Sequence, residues 1–172
     1  MSAAPTEAIV HADGRLVFQG QVVRCALGRA GVVDAARKHE GDGATPTGLL
    51  PLRRLHYRAD RLAIPRAAVP RTPIAPDDLW CDDPAHPHYN RLVRRPFAAR
   101  HEEMWRTDAL YDLVAELGWN DTPVIPHRGS AIFLHLASPQ YGPTAGCVAL
   151  ALPDLLAILA GGLTALRVVP PA

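Results

Sequence analysis

Seven of the chain's 17 prolines fall between Arg61 and Phe97, at positions 65, 70, 73, 76, 84, 87 and 96. Proline fixes φ and has no N–H to donate, and in a helix interior it costs about 3 kcal/mol. A stretch broken this often cannot be helical, and its apolar residues follow neither the helical nor the strand period. The expectation is a long ordered loop over residues 61–97. It is either a surface excursion or one of the lids and binding loops that compact domains keep for function. The rest of the chain must then build its core from short segments around that loop.

Most of those segments read as strands. "AIVHADGRLVFQGQVVRCAL" (residues 8–27) alternates apolar and polar residues around Asp13-Gly14, a dipeptide suited to the positive φ of a tight turn. That pattern predicts a hairpin, with another strand over Gln21–Leu27. "KHEGDGATPTGLLPL" (38–52) packs turn-formers ahead of an apolar strand. Two segments carry helical spacing. In residues 108–118, Leu110, Leu113, Val114 and Leu117 lie between a capping Asp108 and Gly118. In residues 153–162, Leu155, Leu156 and Leu159 follow Pro153 and precede Gly161-Gly162. "LTALRVV" reads as a last strand. With no repeat and no composition break, the expectation is a single domain, 1–172, mainly β, with two short helices and one long proline-rich loop.

Composition removes several function classes. A chain of 172 residues, 48% hydrophobic and 20% charged, is long enough for its own core and reads as a soluble globular domain. A net charge of +1 gives no electrostatic reason to bind nucleic acid. No apolar stretch approaches the roughly 18 residues of a membrane span. The N-terminal "MSAAPTEAIV" has no basic region followed by an apolar core, so no signal peptide is legible in it. The three cysteines, Cys25, Cys81 and Cys147, leave at least one free thiol in any disulfide scheme and lack zinc-knuckle spacing. Lys38 is the only lysine.

The chemistry concentrates in "IFLHLASPQYGPTAGCVAL", Ile132–Leu150. A thiol becomes a useful nucleophile beside a base, usually a histidine, and near donors for the oxyanion that its attack creates. Gly146 lets the backbone turn sharply next to Cys147. His135, twelve residues earlier, would meet Cys147 if two antiparallel strands were joined by "SPQYGPTA". Against this stands the plainer reading of a core histidine and a buried free cysteine, which is common. The Cys–His pattern alone favours the plainer one.

A wider pattern reverses that balance. "LH" followed by "TAGCV" resembles the active-site signature of the YkuD-type L,D-transpeptidases, a histidine ahead of a Ser/Thr-x-Gly-Cys turn. "KHEGDGATPTGLLPL" resembles the family's strand entry, and "CDDPAHPHYNRLV", "YDLVAELGWN", "GSAIFLH" and "PTAGCVAL" resemble blocks of its compact single-domain branch, in all over residues 20–168. The resemblance implies a YkuD-like β-sandwich or barrel. It implies Cys147 as acylated nucleophile and His135 as its base, oriented by a backbone carbonyl at Leu136. It also implies a turn built by Thr144 and Gly146, with the oxyanion held by backbone amides from Gly146 to Val148. Many members have a second histidine where this chain has Ala145, and an arginine or asparagine where it has Ala149.

The implied activity is crosslinking of peptidoglycan stem peptides through a cysteine thioester, of 3-3 or 1-3 type, in the periplasm or cell envelope. It needs no cofactor or metal and is carried out by a monomer. Water in place of the amine would make the protein an L,D-carboxypeptidase or endopeptidase. Loss of turnover would leave a peptidoglycan-binding domain. Ser130, Tyr141, Tyr89, Arg91 and Asp83 are candidates for substrate contact. Asp82, Asp83, His86 and His88 are metal-ligand types in one loop, but their spacing matches no known site, and a polar loop near the cleft is the favoured reading. "GDGATPTG" lacks the Gly-Lys-Ser/Thr ending of a phosphate loop. Trp80, Trp105 and Trp119 fit partial core better than cleft walls.

Overall fold

The structure, a computed structural model, describes residues 6–171. The start of the stretch read for an export signal, residues 1–5, lies outside them. The chain opens with the expected hairpin, β1 (Glu7–Val10) and β2 (Arg15–Phe18), turning at Asp13-Gly14, and continues into β3 (Gln21–Arg24). Short β4 (Val32–Val33) and β5 (Thr45–Pro46) pair with each other. They lead into β6 (Gly48–Tyr57), the longest strand. Later come β7 (Arg71–Pro73), β8 (Asp78–Cys81), β9 (Arg91–Arg94), β10 (His101–Glu103), β11 (Leu113–Leu117), β12 (Phe133–Leu136) and β13 (Val148–Leu150). The helix α1 (Leu152–Ala160) and the strand β14 (Ala165–Val168) close the described chain.

One sheet runs β13-β12-β11-β6-β14-β1-β2-β3, with β7 alongside β6. Its two ends nearly meet. Just past β3, Ala26 donates to the Ala149 carbonyl on β13 at 2.8 Å and accepts from the Ala149 N–H at 3.0 Å. The sheet is therefore an almost closed barrel, which removes most of the exposed edge that an open sheet would present. Its interior is filled by Leu16, Leu50, Leu55, Leu113, Leu134, Leu150 and Leu166, all at most 1% exposed. Leu155, Ile158 and Leu159 of α1 add to the same core.

Three expectations need correction. Residues 113–117 are not helical: "LVAEL" is a strand between β6 and β12. Leu113, Ala115 and Leu117 face the barrel core and Val114 faces the other side. A run that is apolar on both faces fits the strand period as well as the helical one, and pairing on both edges decides the outcome. Asp108 accepts from the Leu110 N–H at 3.1 Å in a turn that no helix follows. The helix expected over 153–162 does form, so the described residues hold one helix instead of two.

The proline-rich stretch is not a structureless loop either. It contains β7, β8 and β9, and β8 pairs with β9 and β10 in a separate three-stranded sheet. Every residue of β8 is buried. The prolines sit where ladders end: Pro73 closes β7, Pro84 and Pro87 lie in the β8–β9 connection, and Pro96 follows β9. There a missing N–H breaks no ladder. Trp80, Tyr111 and Phe133, with Cys147, form a second apolar cluster between this small sheet and the barrel wall.

The third correction concerns β12 and β13, which are parallel, with Leu134, His135 and Leu136 opposite Val148, Ala149 and Leu150. Residues 137–147 are thus a crossover and not a hairpin loop. It is tied down by Thr144 N–H to the Leu27 carbonyl at 2.9 Å and by Arg29 N–H to the Thr144 carbonyl at 2.8 Å.

Candidate active site

Parallel pairing still brings the two motif residues together, by a different route. Cys147 lies two residues before Ala149, the partner of His135, so both side chains leave the same face of the sheet. Two residues along and one strand across puts their Cα atoms on the order of 8 Å apart, within reach of two inward-leaning side chains. Alternate residues Leu134, Leu136, Val148 and Leu150 turn to the barrel core. Both His135 and Cys147 line a cavity of about 530 Å³ between the barrel, the crossover and the small sheet.

The turn before Cys147 is built by Thr144. Its hydroxyl donates to the Cys147 carbonyl at 2.7 Å and accepts from the Gly146 N–H at 3.1 Å. Gly146 has φ +138°, and a Cβ there would lie 2.8 Å from the Ala44 carbonyl oxygen. Only glycine fits both the conformation and the space. Cys147 is 6% exposed, and its thiol donates to the Ala131 carbonyl at 3.2 Å and accepts from the Phe133 N–H at 3.4 Å. Burial pushes it up to about 12.

His135 is equally buried, and its Nδ1 lies 2.8 Å from the Leu136 carbonyl oxygen. A carbonyl can only accept, so Nδ1 carries the proton and Nε2 is the free base. The Leu136 amide is in turn held by the Leu110 carbonyl at 3.0 Å. Burial lowers His135 to about 4. No hydrogen bond joins the imidazole to the thiol. Desolvation disfavours both charges, which favours a neutral thiol beside a neutral imidazole over an ion pair.

The other sequence candidates separate. Ser130 lines the cavity and donates to Glu40 at 2.8 Å. Tyr89 is buried behind that wall, donating to Glu40 and accepting from the Gly129 N–H at 3.1 Å. Tyr141 carries the Arg24 guanidinium 4.4 Å above its ring, beside the cavity and not in its lining. Asp83 accepts from the Ala85 N–H at 3.0 Å within its own turn. Arg91 is exposed on a second cavity, of about 170 Å³, with Arg53 and Glu116. Among the described residues no three His, Cys, Asp or Glu side chains gather into a metal-holding set. Trp80 packs edge-on to Phe133 at 5.0 Å and bonds Asn90, as partial core.

Several cavity residues had been given no role from the sequence. Tyr111 stacks edge-on to His135, with ring centroids 5.2 Å apart, and donates to Glu102 at 2.7 Å. Arg106 lies 5.1 Å over the Tyr111 ring and is held by Asp108. Lys38 is buried at the cavity wall and bonded to Asp42 at 2.6 Å. Lys38 and Tyr111 each open a stretch that the sequence singled out, but nothing in those stretches marked either side chain as part of a site.

A thiol and an oriented imidazole on one sheet face, open to a cleft the size of a peptide fragment, are the groups an acyl-transfer site requires. The chain belongs to the YkuD family: the model of the L,D-transpeptidase catalytic domain matches residues 4–161 of the 172. No curated protein and no solved structure gives a significant match.

Proposed function

We propose that the protein is a peptidoglycan L,D-transpeptidase working through a thioester on Cys147. The observation that carries this reading is the shared sheet face of His135 and Cys147, with Nδ1 of the imidazole committed to the Leu136 carbonyl. That commitment leaves Nε2 as a base of fixed orientation beside the thiol. Burial pushes the thiol up to about 12, so the resting thiolate is disfavoured and the base must act as the nucleophile forms. The proton moves from Sγ to His135 as sulfur attacks the stem-peptide carbonyl, when charge passes to the oxyanion.

The Gly146 N–H is already bonded to Thr144, so of the expected amides from Gly146 to Val148 the Cys147 and Val148 N–H groups are the donors left for that oxyanion. Collapse of the tetrahedral intermediate expels the following residue as an amine, protonated by His135. An amine from a second stem then resolves the thioester, forming a 3-3 or 1-3 crosslink. Family membership supports a cell-wall substrate and action in the envelope. Among the described residues no helix is long and apolar enough to cross a membrane.

The test is mass spectrometry of purified muropeptides incubated with the protein or with Cys147→Ala. Dimers made only by the parent support the transpeptidase, and their fragmentation names the bond. Trimmed monomers without dimers would make it a hydrolase of the same thioester. Unchanged muropeptides would make it a binding domain.

A further inference from the structure

Three carboxylates line the cavity beside Cys147: Glu40, Asp82 and Glu102. Two are already matched. Arg100 lies 3.6 Å from Glu40 and 3.1 Å from Asp82, and Glu40 also accepts from Tyr89 and Ser130. Glu102 is in no ion pair among the described residues. Its Oε2 accepts from the Tyr111 hydroxyl at 2.7 Å. Its Oε1 has no hydrogen-bond partner and, since no fully buried side-chain polar atom among the described residues is unpaired, it keeps some access to solvent in a residue that lines the cavity. Tyr111 links this carboxyl to the site by packing its ring against both His135 and Phe133.

A carboxylate in a half-enclosed cavity with no ion-pair partner has lost water for little direct compensation, a cost that a cationic ligand reverses. Neither nearby cation forms an ion pair with it: Lys38 pairs with Asp42, and Arg106, whose field reaches Glu102, pairs with Asp108. Burial and the fields of Asp82 and Glu40 raise its proton affinity, which suits a group that must take a proton from an amine.

Resting on the transpeptidase reading, we propose that Glu102 is the acceptor-selecting residue: it docks the primary ammonium of the second substrate at the thioester and takes its first proton. The balance is closed. The ammonium gives one proton to Glu102, and the freed amine attacks the thioester carbonyl, forming C–N and breaking C–S. His135 then carries the nitrogen's second proton to the departing sulfur. Glu102 returns its proton to solvent and is a carboxylate again. Tyr111, which touches no reacting atom, is a positioning residue that holds Glu102 by its second oxygen.

The test compares two acceptors on one thioester: a peptide bearing a primary ammonium, and hydroxylamine, which is uncharged at neutral pH and needs no deprotonation. In Glu102→Gln the ratio of amide to hydroxamate product is expected to fall about 10²-fold, the usual scale of a lost general base. Glu102→Asp, which keeps the charge one methylene further back, is expected to fall between Gln and the parent, and it carries the test if Gln does not fold. An unchanged ratio in the variant that folds, or a parallel loss of both products, overturns the assignment of Glu102. A parent that forms neither product overturns the acyl-transfer reading itself.

Discussion

The Leu136 carbonyl holds Nδ1 of His135 at 2.8 Å, so the imidazole is oriented by the peptide unit that follows it and not by a carboxylate. A carboxylate partner would stabilise the imidazolium strongly, whereas a neutral carbonyl does so only weakly. Burial therefore dominates, and His135 stays neutral down to about pH 4. The expected acid limb of thioester formation lies near pH 4, well below the 6.5 of a free imidazole. A limb near 6.5 would show that another histidine, or a solvated one, is the base.

The same shift has a sign for stability. The unfolded chain takes up a proton at His135 around pH 6.5, and the folded chain only near 4. The unfolded state thus binds more protons between those values, and this residue's contribution to stability falls as pH drops from about 6.5 towards 4. Denaturation midpoints of the parent and of His135→Gln, measured from pH 7 to pH 4, check this. The gap between the two proteins should narrow at the acid end, and a constant gap would remove the buried neutral histidine as the cause.

The three thiols should rank by access and not by acidity. Cys147 and Cys25 are both pushed up to about 12 by burial, and Cys81 is also raised by burial. Only Cys147 lines the large cavity. Iodoacetamide at pH 7.5 is expected to label Cys147 ahead of the other two, yet more slowly than a free thiol. Peptide mapping after timed quenching measures both. Labelling faster than free cysteine would mean that the resting site is a thiolate–imidazolium pair.

What could be read in the chain beforehand follows from how local each feature is. The first hairpin, α1 and β14 are specified by neighbours within a few residues, and all three form where the pattern places them. "LVAEL" satisfies both periods, and only its pairing with β6 and β12 separates them. The strands among the prolines are three or four residues long, too short for a periodic signal to accumulate. In the site, His135 and Cys147 share a motif of one segment. Glu102 and Tyr111 meet them only once the small sheet has folded against the barrel, and no spacing in the chain encodes that contact.

Thr144 is the clearest test of the turn. Its hydroxyl makes one bond to the Cys147 carbonyl and one from the Gly146 N–H. Thr144→Val keeps the shape and loses both, at a cost of about 1–3 kcal/mol. Activity should fall by more than the stability loss explains, because the Gly146 amide and the Cys147 carbonyl both lose their anchor. Thr144→Ser, which retains the hydroxyl, should recover most of it. Equal rates in the Val and Ser variants would reduce the hydroxyl to a bystander.

Gly146→Ala separates fold from chemistry at the same turn. The added Cβ would meet the Ala44 carbonyl oxygen at 2.8 Å and Ile132 at 3.2 Å, on a backbone with φ +138°. Ala44 is backbone of a buried segment, so it cannot rotate away as a side-chain tip would, and the strain falls on the crossover. A loss of about 2–4 kcal/mol is expected, from the disfavoured φ and the steric overlap together. For a chain of this size that lowers Tm by roughly 5–15 °C. Calorimetry of the variant beside Cys147→Ala checks it. Cys147→Ala removes one sulfur from a site with space in front of it and should shift Tm far less. A Gly146→Ala protein as stable as Cys147→Ala would show that the turn yields by sliding along the cavity, and the crossover would then be a mobile element of the site and not its fixed frame.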